Sequence, residues 1–530
     1  MEINKCSLLY VAVLLIAGIS VHAQSQAPPV IPDSLVIAYV ERFNAADEEL
    51  YSQLIPNSGA AEFLCNNVPR FECPDRQIEE IYYFRWWTFR KHLRQTPEGY
   101  IITEFLPEVS WAGKYNGISC PAMHHYNEGR WLHDRRYLDS YTDYWLRGGG
   151  SLRAYSFPIA ASLYNYYLAS GDRSLLREYT PDLIANYAEW EKSNFDPNKG
   201  LFWQIDGRDG MEVSVGGRTT ASGYRATINS YMIAEARTIA AISKPHSAEF
   251  FSKADAILSA MQKTLWDADS SFFKVLPRQP EAPLCEAREL HGYTPWYFSL
   301  PAEEYSPAWK YLMSPRHFFA PYGPTTVEQL HPEFTLAYSG HECQWNGPSW
   351  PFSTAVTLTA LVNLLNNYSQ EYINKADFFT LLKVYAQSHY RVKDDMSVVP
   401  WIDENLNPLT GDWIARTRLK TWADGTWSKA KGGKERGKDY NHSTFNDLII
   451  TGIVGLRPQE GARLCINPLA PADMWDWFCL DRVPYHGKML TVIWDKTGAK
   501  YGKGKGLTIW SNGKKIGHLT CIDKIEIKLR

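Results

Sequence analysis

Apolar residues recur with helical spacing over most of the chain, from about residue 33 to about residue 455. In "SFPIAASLYNYYLASGD" they fall at i, i+4, i+7 and i+11, and Gly171 stands where a helix C-cap is expected. The pattern continues in "YRATINSYMIAEARTIAAI", with one polar gap at Glu235, and returns in "FSTAVTLTALVNLLNNY". This spacing predicts a mostly α-helical body.

Long loops rich in Trp, Gly, Pro and charged residues separate the predicted helices. They span residues 104–136, 202–224, 268–306, 337–352 and 400–441. Stacked helical hairpins alternate short and long connections, so the long loops collect at one end and can build a site there. No repeat of fixed period is visible, which argues against a solenoid.

The pattern changes near residue 457. The segments "KMLTVIWDKTG", "KGLTIWSNGKKIG" and "DKIEIKL" alternate apolar and polar residues between Gly and Asn-Gly turns. Residues 457–530 are therefore predicted to form a small antiparallel, β-sandwich-like module that packs on the helical body, residues 33–456.

The first residues resemble a secretory signal peptide. Lys5 precedes the apolar run "LLYVAVLLIAGI", and a small residue, Ala23, precedes Gln24. We expect residues 1–23 to be removed, residues 24–32 to form a Pro-rich linker, and the mature protein to be exported to a periplasmic or extracellular space. No later segment is long and apolar enough to span a bilayer.

Eight cysteines follow the signal segment, without CxxC pairs or zinc spacing. Cys65 and Cys73 could form a disulfide in an oxidising compartment, but buried free thiols are the favoured interpretation. The sequence also has no P-loop, GxSxG or dinucleotide fingerprint. Neither a cofactor nor a metal is expected.

Charge and aromatic content narrow the class of partner. The formal net charge is −3, and the basic run "KAKGGKERGK" at 429–438 is interpreted as a solvated loop, so no nucleic-acid partner is expected. The chain has 20 Trp, 32 Tyr and 22 Phe, and their flat faces suit sugar rings. An oligosaccharide or polysaccharide fragment is the predicted partner.

Two loops combine carboxylates with aromatic residues. "FWQIDGRDGMEVSVGG" carries several acids on a glycine-rich turn, and "VVPWIDENLNPLTGDW" places Asp403 and Glu404 between two Trp. Hydrolysis of a glycosidic bond needs one carboxylic acid to protonate the leaving oxygen and one carboxylate to activate water or attack directly. An apolar wall raises the pKa of the acid. These loops favour glycoside hydrolysis.

The motifs "GRDGM", "WNGPSWPF" and "ENLNPLTG", in this order, resemble exo-acting glycosidases of glycoside hydrolase family 63 and their mannosylglycerate-hydrolase-like relatives, and more loosely the trehalases. The resemblance implies an (α/α)6 barrel and inversion of the anomeric centre. It implies Asp209 as general acid and Glu404 as general base. Asp206, which replaces the usual Ser, is a second acid candidate, and Gly210 replaces the usual Asn.

The aromatic loops supply the substrate-binding candidates. The family's Trp-x-Gly-Pro-x-Trp element, which shapes the sugar subsite, is matched at residues 345–350. The full candidate set is Arg85, Trp86, Trp87, Trp111, Glu128, Arg130, Trp345, Asn346, Trp350 and Trp401.

Several assignments within these loops stay open. Glu128 and Arg130 could bind hydroxyls or pair with each other at the rim. Glu342 and Asp403 are alternate acids. The pair at 124–125, two histidines, is expected to contact sugar or to pack, rather than to bind a metal.

The leading hypothesis is an exported, inverting exo-glycosidase. Two alternatives use the same fold: a polysaccharide lyase, which would release an unsaturated sugar, and a glycan-binding protein without turnover. Glucose, mannose, rhamnose and arabinofuranose are all compatible with a Trp-lined pocket and two acids.

Overall fold

The structure is a computed structural model that describes residues 28–218, 221–337, 341–415, 432–433, 435–471 and 473–529. The expected signal peptide and the first part of the linker lie outside the described residues. So does part of the basic run at 429–438.

Helices dominate the first 455 residues, as the periodicity predicts. They are α1 (Asp33–Ala45), α2 (Ala60–Asn67), α3 (Arg76–Lys91), α4 (Ala122–Gly129), α5 (Arg136–Leu146), α6 (Ile159–Ser170), α7 (Ser174–Asn194), α8 (Ala226–Ile242), α9 (Ser247–Leu265), α10 (Thr294–Tyr297), α11 (Pro351–Asn367), α12 (Lys375–Ser388) and α13 (Asn446–Leu448), which continues into a π-helical turn, Ile449–Ile453.

Short strands occupy several loops, and longer ones follow α13. They are β1 (Arg70–Glu72), β2 (Leu93–Thr96), β3 (Gly99–Ile102), β4 (Phe195–Asp196), β5 (Leu201–Ile205), β6 (Ser222–Tyr224), β7 (Trp266–Asp267), β8 (Phe272–Phe273), β9 (Leu276–Pro277), β10 (Tyr390–Val392), β11 (Val398–Pro400), β12 (Leu456–Arg457), β13 (Arg463–Ile466), β14 (Trp477–Tyr485), β15 (Lys488–Asp495), β16 (Gly506–Ser511), β17 (Lys514–Leu519) and β18 (Ile525–Lys528).

The helix ends follow ordinary capping rules. Gly171 ends α6 in the left-handed region, with φ 75°, as the sequence predicts. Asp75 caps α3 by accepting hydrogen bonds from two backbone N–H groups. Asn374 and Asp377 form a capping box at the start of α12.

One set of helices forms a closed series of contacts. α4 contacts α6, α6 contacts α8, α8 contacts α10, α10 contacts α11, α11 contacts α13, and α13 contacts α4. A second set lies outside it, where α5, α7, α9 and α12 each pack on a helix of the first set. The long loops lead into the N-termini of α4, α8, α11 and α13, and this is the end at which the site is built.

The C-terminal β module contains a five-stranded antiparallel sheet of order β1-β14-β15-β16-β17 and a three-stranded sheet of order β12-β13-β18. β1 comes from the helical region, between α2 and α3, and pairs Phe71 with Leu480. Trp475 contacts the rings of Phe71 and of Phe379 in α12. The module therefore packs on the helical body and takes one strand from it.

Residues 28–32, here called the N-terminal strap, connect the two parts. The backbone N–H groups of Val30 and Ile31 donate to Asp481 Oδ2 at 2.7 and 3.1 Å. Arg70 Nη1 donates to the Ile31 carbonyl at 2.6 Å, and the Ile31 side chain is fully buried. This part of the predicted linker is fixed in place.

The thiols of Cys65 and Cys73 are free, which is the favoured interpretation of the sequence. Burial raises the pKa of the Cys73 thiol well above its usual value. In the described part of the chain, no helix is both long enough and apolar enough to cross a bilayer.

Candidate active site

Glu404 lies in the loop after β11 and forms a two-point ion pair with Arg436. Arg436 Nε donates to Oε1 at 2.7 Å, and Nη2 donates to Oε2 at 3.2 Å. Both side chains are 1% exposed. A buried, bidentate guanidinium stabilises the ionised carboxylate. Arg436 thus holds the Glu404 carboxyl group in one orientation.

Arg436 comes from the run that the sequence suggested was a solvated loop, and that interpretation is wrong. Its side chain also donates to Glu342 Oε1 at 3.2 Å and lies 5.6 Å from the ring of Trp111. The loop approaches closely because Gly437 has no side chain: a Cβ there would lie 1.8 Å from Asp403 Oδ1.

A buried charge cluster anchors this loop to the end of α3. Lys91 Nζ donates to Asp439 Oδ2 at 2.7 Å, and His92 Nε2 contacts the Asp439 carbonyl at 2.7 Å. The Asp439 N–H donates to the carbonyl of Ile402, two residues before Glu404. The cluster therefore holds the Glu404 and Arg436 loops against each other.

Glu212 is a second carboxyl group of the site, and its pKa is raised. Burial raises its pKa to about 8, and the charges of Asp206, Glu404 and Glu342 raise it further. Its side chain is partly accessible. A carboxyl group with this pKa carries a proton near neutral pH, as a general acid must.

The backbone at Glu212 is tied into the aromatic loop and is strained. The Glu212 carbonyl accepts a hydrogen bond from Trp345 N–H at 3.1 Å. The next residue, Val213, has φ 59°, in the left-handed region that a β-branched side chain disfavours. Such strain costs on the order of 1–3 kcal/mol and is concentrated at functional sites.

Asp209, the acid implied by the sequence motif, is placed differently. It is paired with Arg225 Nε at 2.9 Å, accepts from Ser156 Oγ at 2.6 Å, and accepts from Thr227 Oγ1. Asp209 and Arg225 side chains are each 1% exposed. These three donors fix the Asp209 carboxyl group in place, and its role as general acid stays a prediction.

Asp206, the second acid candidate, organises the turn. It is fully buried, its Oδ1 accepts from Gly207 N–H at 2.8 Å, and its Oδ2 accepts from Ser214 Oγ at 3.3 Å. A Cβ at Gly217 would lie 2.3 Å from the Cβ of Asp206, so the turn closes tightly over this side chain.

Glu104 joins the same group of carboxyls, although the sequence analysis did not select it. Burial raises its pKa to about 8, with added repulsion from Glu404 and Glu212. The Tyr440 hydroxyl donates to Glu104 Oε1 at 2.5 Å. No local motif marks Glu104, because its role depends on Tyr440, far away in sequence.

The candidate sugar platform consists of Trp345 and Trp350. Their rings stack at 4.6 Å with an angle of 13°, and Trp350 Nε1 donates to the Gln344 carbonyl at 2.7 Å. His442 lies 6.0 Å from the Trp350 ring. The Trp-x-Gly-Pro-x-Trp element therefore forms a rigid aromatic surface.

Two buried histidines adjoin this platform. Burial lowers the pKa of both His124 and His442 well below the usual value, so both are neutral. Neither ring nitrogen of His124 has a partner within the described residues. A neutral imidazole can both donate to and accept from a sugar hydroxyl.

His125 has a packing role. Its ring nitrogens contact the Tyr141 hydroxyl at 2.9 Å and the Asn441 carbonyl at 2.7 Å. Among the described residues, no three His, Cys, Asp or Glu side chains are grouped in a way that could hold a metal.

Trp86 and Trp87 were expected to line the cleft, and the structure places both in the core of α3. Trp86 is fully buried, with edge contacts to Tyr82 and Phe89. Trp87 stacks on Phe84. α3 is buried nearly all round, so its tryptophans pack rather than face the loops.

Glu128 and Arg130 do not pair with each other at the rim. Glu128 caps α13 by accepting from the backbone N–H groups of residues 445, 446 and 447. Arg130 pairs with Asp447 at 2.7 Å. Each side chain fixes the start of α13, and sugar binding by either residue stays a prediction.

The remaining candidates are close to the site. Arg85 donates to the Ser443 carbonyl at 2.6 Å, next to His442, and is 3% exposed. Asn346 Oδ1 accepts from Gln344 at 3.2 Å within the platform loop. Trp401 Nε1 donates to Asp403 Oδ2 at 3.4 Å.

Trp111 is the most open of the aromatic candidates. Its side chain is 40% exposed, and its ring packs edge-on against Phe105. Asp403 Oδ1 accepts from the Glu404 N–H at 2.8 Å, which makes it a support for the Glu404 loop.

Two family models match the chain. The mannosylglycerate hydrolase MGH1-like glycoside hydrolase domain matches residues 114–443, which contain Glu212, Glu404 and the Trp345–Trp350 platform. The C-terminal domain of glycosyl hydrolase family 65 matches residues 456–518, within the β module.

Two solved structures illustrate how similar this chain is to known proteins. A chain named "Sialidase" is 40% identical and has a TM-score of 0.86; the match covers 94% of this chain and 45% of that one. This protein thus spans less than half the length of that relative. The GH78 family rhamnosidase of Bacillus sp. GL1 is 11% identical, with a TM-score of 0.52, and the match covers 81% of this chain and 40% of the other; it is similar in fold alone.

The family match spans more than half of the chain and contains Glu212 and Glu404. The chain therefore belongs to the mannosylglycerate hydrolase MGH1-like glycoside hydrolase family.

Proposed function

We propose that the protein is an exported, inverting exo-glycosidase in which Glu212 is the general acid and Glu404 the general base. The observation that carries the proposal is the contrast between the two carboxyls. Burial raises the pKa of Glu212 to about 8, whereas Glu404 is held in a buried ion pair by Arg436. One carboxyl group with a raised pKa and a second one paired with a guanidinium match the needs of acid–base hydrolysis.

In this mechanism the Glu212 carboxyl donates its proton to the glycosidic oxygen as the bond breaks. Glu404 accepts a proton from a water molecule that attacks the anomeric carbon from the opposite face. Inversion needs room for that water, with the carboxyls roughly 6.5–9.5 Å apart. The proposal of inversion draws its support from the family resemblance.

We also propose that the helices form an (α/α)6 barrel. The support is the closed series of contacts through α4, α6, α8, α10, α11 and α13, with further helices packed outside it. The long loops at the N-terminal ends of the inner helices would then surround the pocket mouth.

The pocket chemistry favours an uncharged sugar at the cleavage point. Glu104, Glu212 and Glu404 contribute carboxyl groups, and the adjacent imidazoles are neutral. Arg436 and Arg225, two cations of this region, each already pair with a protein carboxylate. A sugar carboxylate would be desolvated beside these carboxyl groups, which disfavours its charged form. A neutral glycoside fits this chemistry better than a sialoside.

A screen with aryl glycosides tests the proposal. The panel contains neutral pentosides and hexosides in both anomers, together with glucuronides and N-acetylneuraminides. We expect hydrolysis of a neutral member and none of the acidic ones. Cleavage of the N-acetylneuraminide alone would contradict the assignment of a neutral sugar.

The acid is tested by leaving-group dependence. Glu212→Gln should lower kcat by roughly 10²–10⁴-fold on an alkyl glycoside, and much less on a dinitrophenyl glycoside, whose leaving oxygen needs no proton. The matched control is Glu189→Gln, an exposed glutamate of α7. An equal loss on both substrates would refute Glu212 as the acid.

Stereochemistry and location have separate tests. Proton NMR of the first product should show the anomer opposite to that of the substrate; retention would exclude the inverting mechanism.

Intact-mass analysis of exported protein should show that residues 1–23 are absent. Release of monosaccharide units alone from an oligosaccharide would support exo-action.

A further inference from the structure

A second concave surface lies away from the catalytic residues, between the helical body and the β module. This groove, here called the basic groove, has a volume of about 1060 Å³. It is lined on one side by the segment after α4 and the end of α6, and on the other by β14, β15 and β16. No residue assigned above to acid–base chemistry or to the sugar platform lines it.

The lining carries a surplus of positive charge. Its cations are Arg130, Arg135, Arg482, Lys488 and Lys503, and its one carboxylate is Asp481. Asp481 is 2% exposed and already accepts from the N-terminal strap and from the Thr491 hydroxyl. It is therefore poorly placed to neutralise the surface.

Lys488 and Lys503 differ from Arg130 and Arg135 in their ion pairs. Arg130 and Arg135 are bound to carboxylates of the helical body. In the part of the chain that the structure describes, Lys488 and Lys503 have no carboxylate within ion-pair distance. By contrast, the nearby Lys496 pairs with Asp476 at 2.8 Å. Two ammonium groups thus remain available to a ligand.

One sheet face adds an aromatic surface to these charges. Thr491, Trp510 and Lys515 are directly opposite one another on β15, β16 and β17, so their side chains share a face. Thr491 and Trp510 line the groove. Lys503 Nζ lies 5.7 Å from the Trp510 ring. An indole flanked by ammonium groups can stack on a sugar ring and pair with its carboxylate.

The charge of the whole module agrees with that of the groove. Residues 457–530 contain 13 Lys and Arg against 7 Asp and Glu, although the full chain has a net charge of −3. Positive charge is therefore concentrated on the module, where it attracts polyanions over a distance of about 10 Å at moderate salt.

We propose that the basic groove binds a segment of an anionic polysaccharide, one whose sugars carry carboxylates. A concave groove with an aromatic face fits a glycan chain, whereas a lipid bilayer is flat and needs a convex or planar contact. This proposal does not depend on the catalytic assignment. Under this proposal the active-site pocket cleaves a neutral sugar, and the basic groove binds the acidic chain.

The test measures binding to polygalacturonic acid by affinity electrophoresis, with neutral dextran as the comparison. We expect retardation by polygalacturonate alone, and its loss at high salt. The double variant Lys488→Gln/Lys503→Gln and the variant Trp510→Ala should each weaken binding tenfold or more. The control variant Lys496→Gln, outside the groove, should bind like the unmodified protein.

Catalysis and binding can be separated in the same assay. Glu404→Gln should bind polygalacturonate normally, so a protein that hydrolyses nothing in the screen would still test the groove. Equal retardation by dextran, full binding by the double variant, or equal affinity for phosphatidylglycerol vesicles would overturn the proposal.

Discussion

At the scale of single residues, Glu212 and Asp209 lie close together in sequence, but their carboxyl groups have different surroundings. Asp209 is surrounded by donors: the Arg225 guanidinium and the hydroxyls of Ser156 and Thr227. Glu212 is desolvated and faces other carboxylates. Hydrogen bonds to the ionised form favour charge, and desolvation disfavours it. The raised pKa of Glu212 is the reason that we propose it, rather than Asp209, as the acid.

The first prediction concerns the pH dependence of kcat/KM. The acid must be protonated, and burial raises the pKa of Glu212 to about 8, so activity should fall about tenfold per pH unit above pH 8. The measurement is a pH profile from 5 to 10 on the glycoside found in the screen. Glu104→Gln is the matched control, because the pKa of Glu104 is also about 8.

The alkaline limb should persist in Glu104→Gln, even if the rate is lower. Loss of the limb in that variant, with its retention in Glu212→Gln, would assign the acid to Glu104 instead.

The second prediction concerns stability at the same residue. The folded-state pKa of Glu212 lies above its unfolded value of about 4.3, so its favourable contribution is complete below pH 4 and is lost as the pH rises through about 8. Glu212→Gln removes this titration. Relative to the unmodified protein, its free energy of unfolding should increase between pH 5 and pH 9 by up to about 4 kcal/mol, which is about 1.4 kcal/mol for each pH unit below the folded-state pKa of about 8.

Thermal unfolding at pH 5, 7 and 9 measures this difference, with Glu189→Gln as the exposed control. A difference in Tm that stays constant across the three pH values would contradict the buried, proton-holding state of Glu212.

The sequence predicted some of these residues and not others. Glu404 stands in a motif, "ENLNPLTG", whose neighbours are local, so its selection needed no structure. The choice between Asp209 and Glu212 depends on Arg225 and Thr227, whose side chains meet the turn only after folding. Arg436 was missed because a glycine-interrupted basic run gives no sign that its side chain pairs with Glu404 and Glu342.

At the scale of elements, the short helix α13 depends on a side chain from another helix. Glu128, in α4, accepts three backbone N–H groups at the start of α13. Initial N–H groups of a helix have no partner within the helix itself, so a buried carboxylate can replace solvent there. The cap also positions the preceding segment, which includes His442.

The third prediction is that Glu128→Ala destabilises the protein by roughly 2–4 kcal/mol, because it leaves buried backbone N–H groups unpaired. Chemical denaturation measures the loss, and Glu189→Ala is the exposed control. A loss below that of the control would show that water replaces the carboxylate at this helix start.

Periodicity predicted the long helices well, because each of them buries a regular apolar face. It could not predict β1, a three-residue strand inside the helical region. β1 exists because its backbone pairs with β14, about four hundred residues later. The close contact of Gly437 with Asp403 also joins residues that are distant in sequence. The sequence therefore indicated which loops form the site, but not how they are arranged in space.

At the scale of the whole molecule, the β module and the helical body share elements. β1 joins the large sheet from the helical side, the N-terminal strap packs against that sheet, and Trp475 contacts α12. Such shared contacts couple the unfolding of two parts. We therefore expect the two parts on either side of residue 456 to unfold together.

The fourth prediction tests this coupling through Asp481. Its Oδ2 accepts the N–H groups of Val30 and Ile31, and its Oδ1 accepts the Thr491 hydroxyl at 2.7 Å. Asp481→Ala leaves the two backbone donors without their acceptor, and the cost should be roughly 1–3 kcal/mol or more. The exposed Asp476→Ala is the control, since it loses one surface ion pair with Lys496, worth about 0–1 kcal/mol.

The N-terminal strap connects both parts. The stability lost in Asp481→Ala should therefore lower the midpoint of a single unfolding transition that both parts share. Far-ultraviolet circular dichroism at the helix band reports on the helical body, whereas amide hydrogen exchange of β14, β15 and β16 reports on the β module. In Asp481→Ala both signals should change together at a reduced denaturant midpoint, with catalysis intact before the transition. A module that unfolds first, while the helical signal keeps its original midpoint, would show that the strap stabilises the sheet alone and that the two parts fold separately.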